Sequence, residues 1–304
     1  MDAKTYDTIV KEAREDARIL VKVQTIPVPK KSSSFKSVRG DENPNALIAI
    51  VTLDDPSNLN ALSPKLMTQL QDRLLELNSN PSVKVAIITG TDPAFCSGGH
   101  LQMIVNASRH SHEISDPETL GGGTAEAWRF IRLQFGGVAR LIANSNIIFV
   151  AAVNGSAAGV GLAFALACDC VIASENAQFV PAFGKLGLLP EVGTSWFLTR
   201  KLGYNGAFNF FISGQHITAK DALKLGIISK LVKHDQLMEE AQKWAFDALK
   251  LPPHTLEMTK TMLRSIVDIP FEASLRMEEF AEANCFSTRA LPLAAEGILK
   301  RSKI

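Results

Sequence analysis

A carboxylate set among apolar residues is the most chemically suggestive feature of this chain. In Gly187-Leu188-Leu189-Pro190-Glu191-Val192-Gly193, Glu191 follows a proline and precedes a helix expected over Thr194 to Leu202. Burial there disfavours the charged form, raises the pKa and suits the group to proton abstraction. Taken by itself, the commoner reading of such a position is a Glu in a first helical turn, stabilising the macrodipole. Two Gly-bearing loops, each after a buried strand, supply a second ingredient. One is Phe95-Cys96-Ser97-Gly98-Gly99-His100, the other Asn154-Gly155-Ser156-Ala157-Ala158-Gly159-Val160-Gly161. Each can direct a backbone N–H into a cleft, and the second also opens a helix, whose N-terminus favours negative charge. Two converging N–H groups make an oxyanion hole. Taken singly, each loop reads as glycines serving a tight turn and close helix packing.

Other chemistries find little support. No Gly-rich loop ends in Gly-Lys-Ser/Thr, and no dinucleotide fingerprint follows the first strand. No serine stands in a nucleophile-elbow context. His110 and His112 are the only close histidine pair and read as solvated loop residues, so no metal site is expected.

The elements that must position these residues follow from pattern. The chain has 304 residues, 46% of them hydrophobic, which is the composition of a packed globular protein. With 32 Lys+Arg against 31 Asp+Glu, the net charge of +1 provides no global field for nucleic acid or an anionic membrane. Four cysteines are too few for a disulfide scaffold, and Cys168 and Cys170 read as buried thiols in a reducing compartment. The N-terminal stretch is polar and acidic and does not read as a secretory signal. The apolar run from Ile147 to Ile172 approaches the length of a membrane span. Asn154-Gly155-Ser156 and Asp169 interrupt it, so it reads as a buried strand, a Gly-rich turn and a buried helix.

Strands are expected within Ala17 to Val28 and over Ala46 to Leu53, Val83 to Thr89, Ile147 to Val153, Cys170 to Ala173 and Gln178 to Pro181. Helices are expected over Pro64 to Asn78, with Ser63 as N-cap, and over Ala125 to Ala143 and Gly159 to Ala167. Lys30 to Asn45 reads as an exposed Ser-rich loop, and Ser108 to Gly123 as a polar segment. The alternation predicts an α/β fold with largely parallel strands. Helical pattern dominates from Ala219, with Leu237, Ala241, Trp244, Ala245 and Ala248 on one face. Three regions result: an N-terminal segment over 1–45, a core over 46–232 and a helical region over 233–304.

The pieces, in this order, resemble the crotonase (enoyl-CoA hydratase/isomerase) superfamily. Asp55-Pro56 with Asn60-Ala61-Leu62, Ala94-Phe95-Cys96-Ser97-Gly98-Gly99, Asn154-Gly155 with Gly159, and Cys168-Asp169 carry the match. Ala177-Gln178-Phe179, Gly187-Leu188, Gly214, Ala219, Ala222, Gly226 and Val232 continue it. The resemblance implies a ββα spiral core, C-terminal helices used in a homotrimer or a dimer of trimers, and acyl-CoA thioester substrates. Coenzyme A enters only as part of the substrate, and no cofactor is implied. Gly99 and Val160 fall at the oxyanion-hole positions. Ala61, Ser97, Gly98, His100, Gly159, Phe183, Leu188 and Leu189 fall around the substrate, the last two with Phe183 as an acyl pocket. His100 stands where the family usually has Asp.

Hydratases of this family carry two catalytic glutamates, and here those positions hold Ala163 and Phe183. Pro181-Ala182-Phe183…Leu186-Gly187…Pro190-Glu191 is similar instead to peroxisomal Δ3,Δ2-enoyl-CoA isomerases, whose single catalytic glutamate matches Glu191. The resemblance thus implies an isomerase. The alternatives are an atypical hydratase drawing an acid from Glu113, Glu118 or Glu126, and a non-catalytic acyl-CoA-binding protein. The terminal Ser302-Lys303-Ile304 resembles a peroxisomal address read by an import receptor, with the cytoplasm as the alternative location.

Overall fold

The computed structural model describes residues 6–28, 46–106, 127–288, 290–292 and 295–296. The Lys30 to Asn45 loop, the Ser108 to Gly123 segment and the terminal tripeptide lie outside the described residues. The chain opens on helix α1 (Tyr6–Glu15) and strand β1 (Val21–Pro27), then β2 (Leu47–Leu53), α2 (Pro64–Ser79), β3 (Val83–Gly90) and β4 (Ala94–Cys96). Next come a short helix from 101 to 106 and a helical stretch from 127 that passes through a π-turn at Ile131–Phe135 into α3 (Gly136–Asn144). The core continues with β5 (Ile148–Val153), β6 (Ser156–Ala158), α4 (Val160–Ala167), β7 (Cys170–Ser174) and β8 (Gln178–Val180). It closes with α5 (Thr194–Ser213), β9 (Ile217–Thr218), α6 (Ala219–Lys224), β10 (Lys230–Val232), α7 (Leu237–Ala248), α8 (Pro253–Ser265) and α9 (Phe271–Phe286).

Two sheets organise these elements. The larger has the order β1-β2-β3-β5-β7-β10, parallel except for the antiparallel β1–β2 pair at its edge. The smaller has the order β4-β6-β8-β9. Each pass of the chain therefore lays a strand in the large sheet, a short one in the small sheet, and then a helix: β3-β4-(101–106), β5-β6-α4, β7-β8-α5. This is the expected α/β class with a ββα spiral. Of the small sheet only β8 was expected as a strand. The sheet's strands run three residues or fewer; β6 and all but the first residue of β4 lie inside the stretches read from sequence as Gly loops.

The apolar run from Ile147 to Ile172 is resolved as β5, β6, α4 and the start of β7. All eight residues of α4 are buried, so this helix is apolar all round because core surrounds it on every side. Among the described residues no helix is long and apolar enough to cross a membrane. Helix α2 starts as its sequence requires, with the Ser63 Oγ accepting from the Leu66 N–H at 3.2 Å. Helix α5 runs past the expected end at Leu202: Gly203, at φ +68°, kinks it and lets it continue to Ser213. Helix α1, read from sequence only as polar chain, docks on α2 through a two-pronged Arg14–Asp72 pair at 2.8 and 3.1 Å. Cys96, Cys168 and Cys170 are free and buried, and burial pushes the Cys96 thiol up to about 12.

The outer face of the large sheet is covered by α7. Leu237, Ala241 and Ala245 pack there against Ile48, Ile50, Val85, Ile87, Val150 and Ile172. Helix α8 is tied to the core by charge. The Lys260 ammonium, almost wholly buried, meets Asp169 Oδ2 at 2.9 Å and donates to the carbonyls of Ile142 and Ile147. Arg264 meets Asp169 Oδ1 at 3.0 Å, and the Phe149 N–H donates to Oδ2 at 2.8 Å. Burial lowers the Lys260 pKa, against the pull of Asp169. Removing one partner of a buried pair strands the other charge and costs about 3 kcal/mol. Asp169→Ala is accordingly expected to lower unfolding free energy by about that amount in a urea titration. A change under 0.5 kcal/mol, roughly that of an ordinary surface site, would show the pair to be dispensable.

Candidate active site

The site is built where the spiral brings its short strands together. After β4 the chain passes Ser97-Gly98-Gly99-His100 and starts the 101–106 helix. This loop is pinned to segment 59–62. The Ser97 N–H donates to Leu59 O at 3.0 Å, the Leu62 N–H to Gly98 O at 2.7 Å and the His100 N–H to Leu62 O at 3.3 Å. Leu62 and Gly99 thereby form a parallel bridge. Gly98 O and the His100 N–H both face Leu62, so the Gly99 N–H between them points to the opposite side.

On that other side lies the start of α4. Gly98 has φ +94°, and a Cβ there would stand 2.8 Å from Ala158 O and 3.6 Å from Val160 N. Its lack of a side chain is what lets the two loops touch. Gly161 is the second forced glycine: a Cβ would lie 2.4 Å from Cys96 O. Helix α4 begins after Gly159, and its first internal bond runs from the Ala163 N–H to Gly159 O at 3.1 Å. The Val160 N–H therefore has no partner inside its helix. The two backbone donors named from sequence, Gly99 and Val160, come from loops in direct contact.

A side-chain amide network holds both loops in register. Buried Asn60 donates to Thr91 O at 2.9 Å and Ala94 O at 2.7 Å, and its Oδ1 accepts from the Asp55 N–H. Buried Asn154 donates to Asp92 Oδ1 at 2.8 Å and Ala94 O at 3.2 Å. Asp92 is held below the usual carboxylate range chiefly by that Asn154 bond.

Beside the Gly99 loop opens a cavity of about 520 Å³. Ala61, Ser97 and His100, named from sequence as substrate-binding, line it together with Gly99, named as an oxyanion donor. Asn58, Gln102, Lys185 and His216 also line it and carried no recognisable motif. The remaining named positions stand elsewhere. Gly159 faces Ala182, which lines the cavity, and the ring of Phe183, both about 4 Å from where its Cβ would be. Phe183 is buried, but Leu188 is 38% and Leu189 82% exposed, so in the single chain these two leucines do not wall an acyl pocket. Gly187 before them adopts the left-handed conformation, at φ +71°.

Glu191 is half-buried on the same segment and does not line the cavity itself. Burial alone pushes its pKa up, and no side-chain partner for its carboxylate is found among the described residues. Its carbonyl accepts from the Thr194 N–H and hydroxyl at 3.0 and 2.7 Å, anchoring it to the start of α5. The next residue, Val192, sits at φ +58°. That conformation is costly for a β-branched residue and persists only where surroundings impose it, as around functional sites. The hydratase positions Ala163 and Phe183 are buried and apolar.

A family profile described as enoyl-CoA hydratase/isomerase matches residues 43–292. The chain is 32% identical to the 2,3-dehydroadipyl-CoA hydratase of Escherichia coli over 76% of its length and 84% of the relative's. A crystal structure of an enoyl-CoA hydratase from Polaromonas sp. JS666 superposes with a TM-score of 0.76 at 25% identity, covering 92% of this chain and 97% of the other. One of a monofunctional enoyl-CoA isomerase from M. smegmatis does so at 0.63 and 27%, covering 84% and 98%.

The contact at Gly161 yields a direct test. Gly161→Ala drives a methyl into the Cys96 carbonyl, and overpacking of this kind costs about 1–3 kcal/mol. A lowered melting temperature with weakened acyl-CoA binding is expected, whereas an unchanged protein would mean that the loops do not need this closeness.

Proposed function

Because the chain belongs to the enoyl-CoA hydratase/isomerase family, we propose that it is a Δ3,Δ2-enoyl-CoA isomerase working through Glu191. The observation that carries the proposal is the distribution of carboxylates. Glu191 is half-buried and unpaired among the described residues, while both hydratase positions are occupied by buried apolar side chains. Hydration needs one group to activate water and another to supply a proton. Moving a double bond needs only one base that takes a proton and returns it.

In this reading Glu191 removes a proton from C2 of a 3-enoyl-CoA. Negative charge passes to the thioester oxygen as the dienolate forms. The N–H groups of Gly99 and Val160 donate to that oxygen, and a lost donor of this kind costs about 10²–10³ in rate. Glu191 then returns the proton to C4, giving the 2-enoyl-CoA. No cofactor takes part. Phe183 contributes apolar surface to the acyl side and excludes water.

A hydratase reading draws on the relatives' names, since the Escherichia coli and Polaromonas proteins are called hydratases. Its acid would have to come from Glu113, Glu118 or Glu126, which lie outside the described residues. The reading extends to assembly as a homotrimer or dimer of trimers, for which exposed Phe271, Phe280 and Phe286 on α9 offer apolar surface. It extends also to a peroxisomal location through Ser302-Lys303-Ile304. Sedimentation of the intact chain and a reporter fused to its last residues test these extensions. A monomer rejects the first, and a diffuse cytosolic signal the second.

A panel of 2-enoyl, 3-enoyl and dienoyl-CoA esters with product identification tests the activity. Turnover of the 3-enoyl ester, lost in Glu191→Gln with the fold intact, is expected; a 3-hydroxyacyl product from the 2-enoyl ester would establish the hydratase instead. The base must be ionised, so kcat/KM is present above the Glu191 pKa and falls as pH drops through it. Burial raises that pKa, so the acid limb should lie above the ordinary carboxylate range. The stability sign is opposite: a raised folded-state pKa favours the protonated fold, and that contribution is lost as pH rises through it. Glu191→Gln should therefore melt no lower than the parent at neutral pH, with the gap closing in acid.

A further inference from the structure

The C-terminal helical region reaches back toward the donor loops through a side chain at its start. His234 stands between β10 and α7. Its Nδ1 lies 3.0 Å from Ser174 Oγ at the end of β7, and its Nε2 lies 3.1 Å from Asp92 Oδ2 in the turn between β3 and β4. The other Asp92 oxygen accepts from Asn154 Nδ2 at 2.8 Å. Asp92 is held below the usual carboxylate range chiefly by Asn154 and further by His234, so Oδ2 accepts and the ring's Nε2 carries the proton. In the neutral ring Nδ1 then accepts from the Ser174 hydroxyl, whose oxygen takes the Asn176 N–H at 3.1 Å. Serine, histidine and aspartate linked in this order resemble a nucleophilic triad. Ser174 is fully buried and does not line the cavity, so it is not placed to attack a ligand there.

What the histidine does hold is the turn behind both backbone donors. Asn154 also donates to Ala94 O at 3.2 Å, where β4 sets out toward Gly99, and its own chain runs through Gly155 and β6 to Val160. A Cβ at Gly155 would stand 2.1 Å from Pro93 O, so the Asp92-Pro93 turn lies directly against the second donor loop. The Asp92 side chain is 61% exposed. With one bond such a carboxylate keeps rotamer freedom, and a second bond from the far side removes it. We propose that His234 is a positioning residue for the thioester oxygen: by holding Asp92 it fixes Asn154 and, through it, the spacing of the Gly99 and Val160 N–H groups. His234 does not line the cavity, so it acts through Asp92 and not on the ligand. The inference rests on the reading of these N–H groups as donors to the thioester oxygen, and not on isomerase chemistry.

The carbonyl stretch of a bound saturated acyl-CoA, isotopically labelled at its thioester carbonyl, reads that spacing without turnover, because N–H groups donated to the oxygen lower its frequency. In the parent the stretch should lie below that of the free ester, and His234→Ala should return it part of the way. His234→Ala should also lower kcat about 2–10-fold on the enoyl-CoA ester that is turned over, the loss of one net hydrogen bond, with KM changed less than kcat. His234→Gln keeps an N–H for Asp92 and an oxygen for Ser174 and should restore both readings. His234→Ala combined with Asp92→Ala should be no worse than the poorer single variant, as expected of two links in one chain. A stretch that His234→Ala leaves where the parent has it overturns the inference, whatever happens to the melting temperature. A parent stretch equal to that of the free ester overturns the donor reading and this inference with it. A hydration product would remove the isomerase while leaving the stretch, and this inference, standing.

Discussion

A backbone-to-backbone contact governs the rest of this structure: the start of α4 lies against the β4 loop with no room for a side chain at Gly98 or Gly161. Two donors on separate loops can face one oxygen only if their backbones approach this closely. The parallel pairings β3–β5 and β4–β6 set the approach, because each carries successive passes of the chain in one direction to adjacent ends. Asn60 and Asn154 then lock the turn between β3 and β4, sharing the Ala94 carbonyl as acceptor. Both amides are buried and bonded, so loosening the turn would leave polar groups unsatisfied. The scaffold of the site is built from hydrogen bonds whose loss would leave buried polar groups unsatisfied.

The large sheet and its helices were legible because their signals are long. β2, β3 and β5 are near-continuous apolar runs, and α2 carries a helical stripe behind a capping serine. The small sheet was hidden for the opposite reason. Three residues such as Ser156-Ala157-Ala158 are too short for any period and too small to mark a buried face. The donors at Gly99 and Val160 could be named because they lie in contiguous motifs. The cavity wall could not: Asn58, Lys185 and His216 come from separate passes of the spiral, and only the fold joins them. Leu188 and Leu189, expected as a pocket wall for their hydrophobicity, are both exposed in the single chain.

The region around Glu191 departs from what stability alone would select. A half-buried carboxylate with no side-chain partner among the described residues is held beside a valine at φ +58°. Both features cost free energy, although the Glu191 carbonyl also accepts from Thr194 at the start of α5. By contrast, the buried charges at Asp169, Lys260 and Arg264 are fully partnered. Among the described residues charge is thus satisfied where α8 is tied to the core, while the Glu191 carboxylate has no side-chain partner.

The two empty hydratase positions sharpen this contrast. Ala163 lies on α4, a helix with no exposed face, and Phe183 is buried with its ring edge-on to Phe211 at 6.4 Å between centroids. A carboxylate at either place would enter apolar packing without a partner and would sooner take up a proton than ionise. Ionising a carboxylate at either position would therefore take more than one exchange of side chain, because the surroundings there are apolar. Backbone N–H groups on two loops brought together at Gly98 and Gly161, buried apolar side chains at Ala163 and Phe183, and a half-buried carboxylate at Glu191 are the features on which the proposed isomerase chemistry rests.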